Sequence, residues 1–188
     1  MRLALVSNGN IPPFVLDSLA LDADQVVRQK VASSIYASKN ALSVLAQDSV
    51  LAVQTTALVN PNAPVSWLRN HAAHSKTAVI LAVCRNINPP GSILDSLSVN
   101  QVPGVRASVA RHEKTRIETL DRMAKNLREK DESVLLAIAS HPRADRSLLT
   151  FLAYDARSGT VRMQAQTRLK PRLRKEIRED ILERWKTE

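Results

Sequence analysis

Apolar residues recur in this chain as pairs spaced three or four positions apart, in two alternating registers. Leu16 and Leu19 open the first register. It returns at Leu42 and Leu45, Leu68 and His71, Leu94 and Leu97, Leu120 and Met123, and Leu149 and Leu152. The leading residues are separated by 26, 26, 26, 26 and 29 positions. The second register opens at Val27 and Val31. It returns at Val53 and Ala57, Val79 and Val83, Val105 and Val109, Val134 and Ile138, and Val161 and Ala165. Spacings of i, i+3 and i, i+4 put both members of a pair on one helical face. The pattern predicts six units of two short helices, repeating about every 26 residues. The three extra residues of the fifth unit fall near Leu127 to Asp131, where a run of charges reads as a solvated loop.

Polar residues punctuate the units. Asp22, Asp48, His74, Asn100 and Asp155 stand between the two helices and are expected to be N-caps, with Asp131 taking that place in the fifth unit. Asn and Pro close most units, as in Asn60-Pro61-Asn62-Ala63-Pro64 and Asn86-Ile87-Asn88-Pro89-Pro90. Proline ends one helix and starts the next with φ already set. A single unit cannot bury its apolar face alone, so units of this kind stack. The expectation is an all-α, curved solenoid over residues 1–168. A truncated half-repeat at 1–10 and a basic amphipathic capping helix at 169–188 complete it, the latter carrying Ile177, Ile181, Leu182 and Trp185 on one side.

The string Pro13…Leu16-x-x-Leu19-Ala20-x-Asp22…Val27-Arg28-x-x-Val31-Ala32, with its later copies, resembles the variant leucine-rich repeat family, whose shape is close to HEAT-like helical solenoids. The resemblance spans residues 3 to 168. It implies a scaffold or binding array without shared catalytic residues. The chain departs from the pattern at His71 in the third unit and at the insertion in the fifth.

Composition narrows the functional classes. Four glycines among 188 residues are too few for Gly-rich phosphate loops or a hairpin-rich fold. Pro90-Gly91-Ser92 and Pro103-Gly104-Val105 read as lone Pro-Gly turns. The single cysteine, Cys84, excludes an intramolecular disulfide and a multi-cysteine metal site within the chain. The longest uncharged aliphatic stretch, Thr77 to Cys84, is far short of the roughly 20 residues of a spanning helix. A soluble, cytoplasmic protein without cofactor is expected.

Each candidate for chemistry has a place in the repeat. His74 falls at a cap position, His112 and His141 replace the helix-end Asn of other units, and Cys84 takes a core Ala position, so no metal site is expected. Asp17 and Asp95 match each other within first helices, as structural acids would. Arg28, Arg106 and Arg162 share one repeat position and are expected to pair with the cap acid of a neighbouring unit.

The net charge of +9 is uneven. Residues 143–188 carry 12 basic and 7 acidic residues, whereas residues 1–100 carry 7 and 5. The excess gathers at Arg157, Arg162, Arg168, Lys170, Arg172, Arg174, Lys175 and Arg178, a candidate basic surface able to contact phosphates. The preferred functional expectation is a non-enzymatic helical-repeat scaffold that binds a protein partner along one face. The alternative is a nucleic-acid-binding solenoid using this basic region. A base-excision enzyme on a HEAT-like fold would need an acid and aromatics in one concavity, and the chain has only six aromatics.

Overall fold

A computed structural model of the protein describes residues 2–6, 11–74, 76–126 and 129–170. The chain is all-α, with no strand among the described residues. It forms two compact units, Met1–Leu97 and Ser98–Glu188. The first holds α1 (Arg2–Val6), α2 (Pro13–Leu19), α3 (Gln25–Ser33), α4 (Lys39–Leu45), α5 (Leu51–Val59), α6 (Val65–His74), α7 (Thr77–Arg85) and α8 (Gly91–Leu97). The second holds α9 (Pro103–Arg111), α10 (Ile117–Lys125), α11 (Glu132–Ser140), α12 (Arg146–Asp155) and a helix over 159–170, α13. The expected capping segment lies beyond Lys170, outside the described residues.

The two apolar registers become the two sides of the core. In the first unit α1, α3, α5 and α7 pack in series, while α2 packs on α4 and α6 on α8. The two series touch through α2 on α3, α4 on α3 and α5, and α6 on α7. In the second unit α9 packs on α11 and α10 on α12, with α11 against both α10 and α12. All six leading leucines of the first register are at most 1% exposed, and all twelve residues of the second register at most 2%. These helices run to twelve described residues or fewer. At that length an isolated helix is marginal in water, so burial of the shared faces holds them.

The turns depart from the expected capping scheme. The N-cap residue stands three positions before the buried Val, at Asp24, Val50, Lys76, Val102 and Asp131. Asp24 and Asp131 accept helix N–H groups through their side chains, as predicted for Asp131. Asp22, Asp48 and Asn100 are not helix caps. Their side chains accept the backbone N–H two residues on, from Asp24, Val50 and Val102, and so fix the turn that leads into the helix. Glu129 does the same for Asp131 N–H. Asp155 is the last residue of α12 and exposed; Ser158 accepts from Val161 N–H in its stead. His74 ends α6, and its side chain lies outside the described ones.

The Pro-Gly pairs are not turns either. Gly91 opens α8, and Pro103-Gly104 open α9. Among the described residues none has positive φ, which is why so few glycines suffice.

Candidate binding surface

Two ladders of polar side chains bind successive turns. The first starts seven residues after the leading Val of each second helix, just past the helix at Asn60, Asn86 and His141 and inside α13 at Arg168. Asn60 Nδ2 donates to the carbonyls of Ala32 and Ser34, both at 2.8 Å. Asn86 Nδ2 donates to those of Leu58 at 2.7 Å and Asn60 at 2.8 Å. In the second unit His141 Nε2 bonds the His112 carbonyl at 3.0 Å, and Arg168 Nη1 donates to Ala139 and His141 at 2.7 and 2.8 Å. These carbonyls end helices and would otherwise be buried without partners.

His141 is 2% exposed, and its Nδ1 accepts from Arg143 N–H. With Nε2 against a carbonyl, the ring is held as the neutral tautomer protonated on Nε2. Burial lowers its pKa from 6.5; the bond to His112 opposes this, and Arg143, Arg168 and His112 add to the lowering. Above about pH 6.5 both folded and unfolded states are neutral and the ring's contribution is complete. As pH falls below that, the unfolded state takes up the proton first, so stability is lost down through the folded pKa. His141→Asn, which keeps one donor and one acceptor as at Asn86, should lose less stability between pH 7.5 and pH 5 than the wild type. Urea midpoints at the two pH values would check this; equal losses would put the titration elsewhere.

The second ladder uses the Arg position. Arg28 grips Asp48 through Nε and Nη2 at 2.6 and 3.1 Å, and its Nη1 holds the Asp22 and Ala23 carbonyls. Arg106 repeats this on Glu129 at 2.6 and 3.0 Å and on the Asn100 and Gln101 carbonyls. The expected pairing with a neighbouring unit's acid is therefore present at Arg28 and Arg106, with Glu129 rather than Asp131 as the fifth-unit acid, whereas Arg162 turns to backbone carbonyls instead. The Arg28 guanidinium holds Asp48 below the usual carboxylate range. Arg2, 26 residues before Arg28, pairs with Asp22 at 3.1 Å. Its spacing from Arg28 is the sequence signal that could have placed it.

The candidate basic surface is divided by these roles. Arg162 is turned onto the carbonyls of Ala156 and Arg157, and Arg168 belongs to the first ladder. Arg157 and Lys170 are exposed. Arg172, Arg174, Lys175 and Arg178 lie outside the described residues.

The other candidates sit in the core or on their own helices. His71 Nδ1 lies 2.8 Å from the Trp67 carbonyl, and the two rings meet at 5.6 Å. Cys84 is 3% exposed, and burial pushes its thiol up to about 12, which keeps it protonated at neutral pH. Among the described residues no three His, Cys, Asp or Glu side chains gather as metal ligands would. No described helix is long and apolar enough to cross a membrane.

Two hollows stand out from these structural contacts. In the second unit a hollow of about 170 Å3 lies beside the fifth-unit insertion, floored by Leu135, Phe151 and Leu152. Its rim mixes Glu129, Glu132 and Asp155 with Lys125, Lys130 and Arg157, so it favours neither ligand charge. In the first unit a groove of about 370 Å3 runs over the outward side of α3, α5 and α7. It is lined by Ser33, Thr55, Thr56, Val59, Asn60, Pro61, Ala82 and Arg85. Ser33, Val59 and Arg85 hold one repeat position and Thr56 and Ala82 another, so stacked helices bring them side by side. The Thr55 and Thr56 hydroxyls donate to their own helix, so their methyl groups add to the apolar lining. No protein-family model, no curated protein and no solved structure matches the chain.

Proposed function

We propose that the chain is a non-enzymatic scaffold, a curved solenoid of six two-helix repeats similar to the variant leucine-rich repeat family, which binds a protein partner along one face. The observation that carries this reading is the outward side of α3, α5 and α7. It combines a groove of ligand-sized volume with exposed apolar residues, Val26 at 50% and Leu51 at 44%. The helical array holds this side in place, as a binding platform requires. By contrast, two guanidiniums of the basic C-terminal region, Arg162 and Arg168, are engaged with backbone carbonyls, which lessens the support for a phosphate-binding face there.

The test is capture of a partner by the tagged full chain from extract, with and without nuclease. The expected result is a discrete protein retained after nuclease treatment. Loss of that protein on digestion, or salt-sensitive retention of oligonucleotide alone, would overturn the reading in favour of nucleic acid.

A further inference from the structure

We infer that the groove over α3, α5 and α7 is a docking site for a short acidic segment of a protein partner, a carboxylate flanked by aliphatic side chains. The inference rests on the scaffold reading and gives its face a ligand chemistry. The charge on this side is of one sign. Between Gln25 and Ser33, Leu51 and Val59, and Thr77 and Arg85 there is no Asp or Glu, so the three helices that build the groove contribute cations only. Arg28 is engaged with Asp48 on the far side of α3, which leaves Lys30 and Arg85. Both are exposed, and neither makes a side-chain hydrogen bond or ion pair among the described residues. Arg85 lines the groove, and Lys30 stands one turn before Ser33 on the same face of α3.

The lining fits the rest of such a ligand. Val59, Pro61, Ala82 and the methyls of Thr55 and Thr56 offer an apolar floor, and a volume of about 370 Å3 accommodates a few side chains rather than a helix. Arg presents a planar fork matched to a carboxylate, so Arg85 supplies orientation as well as attraction. A nucleic acid suits the groove less well. Continuous backbone binding needs a run of cations, and base stacking needs aromatics; α3, α5 and α7 contain no Phe, Tyr or Trp.

The experiment uses the full chain and three fluorescein-labelled probes at low salt: a short peptide alternating Glu and Leu, its Gln-for-Glu counterpart, and an oligothymidine strand. Anisotropy should show saturable binding of the Glu/Leu peptide, about tenfold weaker binding of the Gln version, and a similar loss for Arg85→Glu. Val59→Glu, which changes the floor and not Arg85, should weaken the same peptide. Helix content by circular dichroism should match the wild type in both variants. The inference falls if the Glu/Leu peptide fails to saturate, if Arg85→Glu and Val59→Glu bind it like the wild type, or if oligothymidine alone binds and is lost in Arg85→Glu. A nuclease-resistant partner that the Arg85→Glu chain still captures would overturn the groove assignment while leaving the scaffold reading in place.

Discussion

Asn86→Leu should destabilise the protein by about 3 kcal/mol, although the new side chain is apolar, similar in size and fully buried. Asn86 is 0% exposed. Its Nδ2 serves the Leu58 and Asn60 carbonyls, and its Oδ1 accepts from Asn88 N–H at 2.7 Å. Leu offers none of these bonds, and water cannot reach the site to replace them. Each buried group left without a partner costs about 1–3 kcal/mol, partly offset by the gain of apolar burial. Urea denaturation followed by far-UV circular dichroism gives the difference. Asn70→Leu, on the exposed side of α6, is the control and should change stability by no more than about 0.5 kcal/mol. A loss below about 1 kcal/mol at Asn86 would mean that the helix-end carbonyls are satisfied without the ladder.

That ladder also marks where the sequence was legible. The recurrence of Asn60, Asn86, His112 and His141 at one place in the repeat was visible as punctuation, and so were the apolar positions. Residues such as Leu16, Val31, Val53 and Ile138 are buried because a helical face fixes them at three- and four-residue spacing, which no tertiary detail alters. What lay out of reach was which backbone group each polar side chain meets. Asp22 and Asp48 look like caps because they are short acids before a helix. The N-cap stands three residues before the buried Val, however, so an acid five before it reaches the turn instead. Asp131, three before Val134, is a true cap, and Glu129 fills the place that Asp48 holds in the second unit.

The docking groove left no motif to find. Ser33, Thr55, Val59, Ala82 and Arg85 are ordinary residues scattered over about two repeats, and each matters only because stacked helices bring equivalent faces side by side. The cluster of basic residues near the C-terminus was conspicuous in the sequence for the opposite reason. Counting charge cannot tell a guanidinium that faces solvent from one that, like Arg168, caps two carbonyls of the preceding helix end. Net charge is a statement about the whole surface and its long-range field, whereas a site depends on which charges remain without local partners.

Ile138→Ala tests the apolar register itself, and the expected loss is about 4 kcal/mol. Ile138 is 0% exposed in α11, the helix that packs on α9 and also touches α10 and α12. Removing three carbons there forfeits their transfer from water and leaves a cavity that helices held on several sides cannot easily close. Substitutions of this kind cost about 2–5 kcal/mol, and the constraint around α11 argues for the upper half of that range. The graded change Ile138→Val should cost about 1 kcal/mol. Leu136→Ala, two residues earlier and only half-buried, should cost less than Ile138→Ala although it removes as many carbons, because its neighbours on the open side are water. Equal losses at Leu136 and Ile138 would contradict the helical phase of the second register, which sets Ile138 in the core and leaves Leu136 half-exposed.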